Sequence, residues 1–235
     1  MRYGYYLKKF WYLYMLIGIV TLAMAFGTNL AITTMAEHAP IQRSHTIVID
    51  AGHGGEDGGA LSCTGVKESQ INLQIALRLE ALLHLLGYET HMIRTTDISI
   101  HTNGTTIAQK KVSDLKERVR IVNSLDNGIL LSIHQNTFPV EKYNGAQVFY
   151  NPCAGAKELA EHLQYTFIET VNPGSHRACK TADHVYLLRN IQCPGVLVEC
   201  GFLSNAGEEA KLRAGEYQNK LVCVIASSLS SYLNA

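Results

Sequence analysis

The segment from Thr46 to Ala60, TIVIDAGHGGEDGGA, restricts the fold of this chain more than any other stretch. It begins as a β-rich apolar run, Thr46-Ile47-Val48-Ile49, and breaks at Asp50 into a turn where five glycines surround His53. A strand that gives way to a polar, Gly-rich turn puts that turn at the carboxyl edge of a sheet, where open α/β folds build their sites. Glycine has no Cβ and admits positive φ, so the backbone can close around whatever His53 holds. Two later runs end the same way. Ile129 to Ile133 delivers His134, and Val196-Leu197-Val198 delivers Glu199.

Between these runs the hydrophobic period changes to that of helices. Ile71, Ile75, Leu79, Leu82, Leu83 and Leu86 recur at helical spacing behind Glu68, and Gly87 closes the helix. Tyr88 to Ile93 reads as a strand ending in Arg94-Thr95-Thr96-Asp97, and residues 98–113 as a loop. Leu115, Val119, Val122 and Leu125 give an amphipathic helix, with Arg118 and Arg120 expected on its other faces. Gly145 to Tyr150 is expected as a strand, 156–171 as a helix and 172–184 as a loop. Val185 to Leu188 is expected as a short strand ending at Arg189, and 217–233 as the last helix. Strands alternating with helices predict an α/β fold: one catalytic domain, 46–235, with a mostly parallel sheet and helices on both faces.

The N-terminus is of another kind. Arg2, Lys8 and Lys9 precede an uncharged run from Phe10 to Ala36, with Ala23-Met24-Ala25 inside it. Residues 1–36 are therefore expected to be an export signal or an uncleaved membrane anchor, followed by a linker, 37–45. Either reading places the domain outside the cytoplasm. From residue 41 onward, 17 basic residues (20 less Arg2, Lys8 and Lys9) face 19 acidic ones (20 less Glu37). A balance of −2 offers no basic face for nucleic acid. Six scattered cysteines without a C-x-x-C pair exclude a zinc finger and leave disulfide pairing open.

Two imidazoles and a carboxylate form one of the usual ligand sets of catalytic zinc, with a fourth position left for water. His53 and His134 supply the imidazoles, and Glu68 or Glu56 the carboxylate, since His53-Gly-Gly-Glu56 also matches an H-x-x-E ligand pair. His101, His162, His176 and His184 are further candidates, because a histidine after a strand is often only structural. Asp50 is a candidate to support His53. Glu199 is expected to move protons as general base and acid, and Arg189 to stabilise developing negative charge beside the metal. A phosphate loop is disfavoured: Asp57 stands where G-x-G-x-x-G needs its last glycine, and no Walker lysine follows.

At these residues the chain resembles the zinc-dependent N-acetylmuramoyl-L-alanine amidases of bacterial cell-wall hydrolysis. The resemblance runs from about 46 to 232. It rests on IDAGHGGEDGGA, Glu68 with Asn72, RTTD at 94–97, Arg118 to Asn123, SIHQN at 132–136 and LLRNIQCPGVLVECGFLSN at 187–205. It implies His53, Glu68 and His134 as ligands of one Zn²⁺, Glu199 as the catalytic carboxylate, and Glu56 as a loop residue. It further implies cleavage of peptidoglycan between the muramic lactyl group and L-alanine. The single domain is similar to germination-specific amidases, whose product allows muramic δ-lactam to form in spore cortex. Some such enzymes need a partner lipoprotein to hold zinc. Two other readings stand beside this one: a peptidoglycan carboxypeptidase using His53, Glu56 and His134, and a membrane-anchored wall-binding module without catalysis.

Overall fold

Strand β1 (Thr46–Ala51) is buried along nearly its whole length and lies inside the sheet. A strand covered on both faces has no polar side to show, which explains its continuous apolar run. β2 (Glu89–Met92) and β3 (Gly128–Asn136) flank it in parallel. β6 (Gly195–Phe202) continues the sheet in parallel beyond β3. β4 (Gln147–Tyr150) then runs antiparallel to β6, with β5 (Lys180–Thr181) parallel to β4. The order is β2-β1-β3-β6-β4-β5. The computed structural model describes residues 45–234 together with position 15, so the expected signal or anchor and all but the end of the linker lie outside the described residues. Among the described residues, no helix is long and apolar enough to cross a membrane.

Helices α1 (Glu68–Leu85), α2 (Ile107–Asn123), α3 (Ala156–Thr170), α4 (Tyr186–Asn190), α5 (Ala206–Leu212) and α6 (Gly215–Leu233) connect and follow these strands. Ile71, Ile75, Leu79 and Leu83 of α1 pack with α3 and α6 on Ile47, Ile49 and Ile133, the main core. Alternate strand residues Val48, Leu130 and Leu197 face the other way, onto Val122 of α2 and Leu187 and Leu188 of α4. Each such buried aliphatic side chain contributes about 1.5–3 kcal/mol. Gly87 ends α1 at φ +77°, as the sequence anticipates.

Three expectations need correction. Residues 185–188 are not a strand, because Tyr186–Asn190 forms a helix in which Arg189 N–H donates to the Val185 carbonyl. A short apolar run carries no period that separates strand from helix, and packing of Leu187 and Leu188 on the sheet decides it. The loop 98–113 ends early, since α2 starts at Ile107 behind a capping box between Thr106 and Gln109. Its first turns show Ile107 and Val112 to solvent and so lack an apolar stripe. Arg118 does not sit on an outer face. It is only 2% exposed.

Candidate metal centre

β1 leads into His53, the later halves of β3 and β6 carry His134 and Glu199, and the first turn of α1 delivers Glu68. His53 Nε2 lies 3.3 Å from Glu68 Oε2, and His134 Nδ1 lies 3.1 Å from Glu68 Oε1. The two imidazole centroids are 5.2 Å apart. One ligand atom from each of His53, Glu68 and His134 falls within 4.8 Å of the others. Two nitrogens and a carboxylate oxygen this close form a donor set that fits a tetrahedral divalent ion. Among the described residues, no other trio of His, Cys, Asp or Glu side chains meets this condition.

The convergence depends on local backbone. His53 sits at φ +61°, a left-handed conformation uncommon for a residue with a Cβ. Two buried arginines hold this turn by its carbonyls. Arg94 donates from Nε to Ala51 O (2.7 Å) and from Nη2 to Gly52 O (3.0 Å) and Ser69 O (2.9 Å). Arg118 donates from Nη1 to Ala51 O (3.0 Å) and from Nη2 to His53 O (2.8 Å). Arg118 is itself paired with Asp50 and, at 2.6 Å, with Asp114. A Cβ at Gly52 would meet the His134 ring at 2.2 Å, so only glycine lets the two histidine-bearing segments come together there.

Charge and hydrogen bonding then fix each of these side chains. Glu68 accepts from the N–H of Ala60 (3.0 Å) and Gln135 (3.1 Å) and from Asn72 Nδ2 (3.2 Å). Burial raises its pKa, but the His134 contact and the neighbouring imidazole charges outweigh that and hold it down to about 2. His134 moves the other way: burial opposes its charge, and Glu68 overcomes this and raises its pKa. Glu199 stands across the strand pair from His134. Burial pushes it up to about 7; the Glu68 charge adds to the rise and His134 opposes it. Its Oε2 is buried without a hydrogen-bond partner. A carboxyl group with an orphan oxygen and near-neutral pKa suits proton transfer at neutral pH.

Other candidates are placed elsewhere. The Glu56 side chain is 55% exposed and pairs with Lys110 at 2.8 Å, outside the cluster, so the set His53, Glu56 and His134 does not assemble. Asp50 does not support His53. Burial raises its pKa, and the pairing with Arg118, with His134 and Ser132 adding to it, brings it below the ordinary value. The residue beside His53 is Asp57, whose Oδ2 lies 3.0 Å from Nδ1; that hydrogen bond holds the Asp57 carboxyl well below the usual carboxylate range. An Nδ1–H donated to Asp57 leaves Nε2 as the free lone pair on the Glu68 side. The sequence carried a signal for it, a carboxylate four residues after a histidine in a glycine turn, but Asp50 lies as close along the chain and competed for the role. Arg189 is exposed at the end of α4, and its side chain makes no hydrogen bond or ion pair among the described residues. All six cysteines have free thiols.

A pocket of about 80 Å³ borders His53 and His134 on the α2 and α4 side. A wider groove of about 450 Å³ runs along the same sheet edge between Leu61, Phe138, Pro139 and Ser204. A third cleft, about 380 Å³, opens beside Asn127, Gln192 and Pro194 at the opposite edge and touches none of the four site residues.

Residues 47–231 match the N-acetylmuramoyl-L-alanine amidase family. The chain is 31% identical over 228 residues to the germination-specific N-acetylmuramoyl-L-alanine amidase of Bacillus subtilis, covering 96% of this chain and 95% of that one. Among solved structures it is similar to the CwlD amidase of Clostridioides difficile in complex with the GerS lipoprotein. The TM-score is 0.77 at 37% identity, over 80% of this chain and 98% of that one. An N-acetylmuramoyl-L-alanine amidase from Clostridium difficile 630 follows with a TM-score of 0.71 at 31% identity, over 83% and 99%. On these matches, which span nearly all of the described fold and the edge where the four side chains meet, the chain belongs to the N-acetylmuramoyl-L-alanine amidase family.

Proposed function

We propose that this amidase is a zinc hydrolase that cuts peptidoglycan between the lactyl group of N-acetylmuramic acid and L-alanine, with His53, Glu68 and His134 as zinc ligands. The observation that carries this is the trio of ligand atoms within 4.8 Å, with the unpartnered Glu199 oxygen on the adjoining strand. When bound, zinc lowers the pKa of a coordinated water to about 7 and polarises the carbonyl under attack. Glu199 would accept a proton from the attacking water and hand it to the alanine nitrogen as the amide bond breaks. Its pKa of about 7 lets it do both at neutral pH. Asp57 holds the His53 ring, and the Arg94 and Arg118 contacts keep the His53 turn in place. Arg189, exposed at the end of α4, is retained as the residue that helps stabilise the developing negative charge.

The biological setting rests on likeness. Similarity to the germination-specific enzyme supports a role in spore cortex, where peptide removal precedes muramic δ-lactam formation. The CwlD relative was solved with a lipoprotein, and we extend to this chain the need for such a partner to support zinc binding. Residues 1–36 serve as export signal or membrane anchor and 37–45 as linker to the catalytic domain, placing the enzyme at the outer membrane face or in the cortex space.

The deciding experiment combines metal analysis of the purified protein with mass spectrometry of digested peptidoglycan. One zinc per chain and release of whole stem peptides with free N-terminal alanine support the proposal. Loss of a single C-terminal amino acid identifies a carboxypeptidase instead, and pelleting with wall without any product a binding module.

A further inference from the structure

The loop between α3 and β5 carries an arginine that the chemistry above does not use. Arg177 donates from Nε to Asn144 O (3.0 Å) and from Nη1 to Gln147 Oε1 (2.8 Å). Its guanidinium lies 4.8 Å over the centre of the Phe202 ring. Gln147 in turn donates to Ala178 O at 2.6 Å, so the loop is stapled to β4 on both sides of the Arg177–Ala178 peptide. Among the described residues Nη2 has no acceptor, and no carboxylate lies within ion-pair distance of the group. Glu208, the acid that feels its charge, is taken up by the N–H of Gly145 and Phe202, both at 2.8 Å.

Position gives this arginine its meaning. Gln147 is the register partner of Glu199 across the antiparallel pair β4 and β6. Facing residues on such a pair share one side of the sheet, about 5 Å apart at Cβ. Arg177 therefore stands one side-chain layer beyond the proposed proton-transfer carboxylate. The Phe202 ring beneath it stacks at 6.4 Å on Tyr143, which meets Phe138 edge-on at 4.9 Å, and Phe138 walls the wide groove. A guanidinium whose rotamer is already fixed loses little entropy when it takes a planar carboxylate.

We propose that Arg177 recognises a carboxylate on the peptide side of the substrate, that of the residue following the alanine whose nitrogen faces Glu199. This rests on the amidase reading above. An extended peptide that leaves Glu199 along the β4 side advances about 3.3 Å per residue, which carries a carboxylate on the second stem residue to the layer just past Gln147. Arg177 is thus a specificity residue: it selects stem peptides whose second residue keeps a free acid over those in which that acid is amidated.

The test uses the full-length enzyme and two soluble disaccharide dipeptides, L-alanyl-D-glutamate blocked as its γ-methylamide with the α-carboxylate free, and the same compound as its α-amide. Wild type should favour the acid by about tenfold in kcat/KM. Arg177→Ala should bring the ratio near one, with the loss carried by KM, and Arg177→Lys should restore part of it. A wild-type ratio near one overturns the proposal, whether or not the alanine variant folds, and so does an equal loss on both substrates. Calorimetric titration of the two free dipeptides separates the two readings. If wild type releases peptide from neither substrate, the amidase reading falls. Preference for the acid dipeptide that disappears in Arg177→Ala still upholds the carboxylate site, and equal affinity for both dipeptides removes it.

Discussion

His134 on β3 and Glu199 on β6 are register partners in a parallel strand pair, so a ligand candidate and a proton-transfer candidate project from neighbouring strands toward one edge. Both hold their protons more tightly than usual, His134 mainly through Glu68 and Glu199 through burial, so a basic imidazole stands beside a carboxyl that resists ionising. The two carboxyls of the site are driven apart, Glu68 down to about 2 and Glu199 up to about 7, and such pairs are where acid and base roles reside.

Glu199→Gln should keep zinc and lose hydrolysis by at least about a thousandfold, as removal of a group that both accepts and donates the proton demands. The same variant bears on stability. A carboxyl whose folded pKa is raised from 4.5 to about 7 supports the fold fully below the unfolded value, and that support is lost as pH rises through about 7. Metal-free Glu199→Gln should therefore be more stable than metal-free wild type at pH 8, by about 3 kcal/mol and with a higher melting temperature, and the gap should close by pH 4. Chelator-treated melts across this range check the sign.

Single alanine variants of His53, Glu68 and His134 should each lose stoichiometric zinc, while Glu56→Ala should hold it, because Glu56 pairs with Lys110 outside the cluster. Elemental analysis after gel filtration distinguishes the two classes. Zinc retained by the three and lost from Glu56→Ala would reverse the assignment.

Asp57→Asn should weaken zinc affinity by about 10–100-fold while leaving the fold in place, since a hydrogen-bonded carboxylate fixes the ligand tautomer. Competition with a chromogenic chelator measures the shift, and circular dichroism verifies the fold.

Arg118→Leu should destabilise the domain by about 3–5 kcal/mol, because it leaves Asp50 and Asp114 buried without their partner. The pairing holds Asp50 below its ordinary value of 3.8, so in wild type its contribution is present above that pH and lost as pH falls further. Urea titrations at pH 7 and pH 3 should thus find a smaller difference between wild type and variant at the lower pH.

The site strands were legible as continuous apolar runs that stop at polar residues, and His53, His134 and Glu199 all follow such runs. The strand ends were not, because β3 and β6 keep their backbone pairing past those polar residues, to Asn136 and Phe202. Glu68 was legible as a first-turn acid, but choosing it over Glu56 required the family pattern: sequence spacing cannot tell which carboxylate turns inward. Arg118 was misplaced because an arginine among periodic apolar residues ordinarily faces water, and only its two aspartate partners, one 68 residues away, make burial tolerable. Arg177 was invisible for the same reason, since its partners Gln147 and Phe202 come from other strands.

X-ray absorption at the zinc edge of the purified, metal-loaded protein tests the centre most directly. Ligation by His53, Glu68 and His134 predicts two imidazole nitrogens at about 2.0–2.1 Å with the remaining scatterers oxygen. A sulfur shell near about 2.3 Å, or an imidazole count other than two, would contradict it.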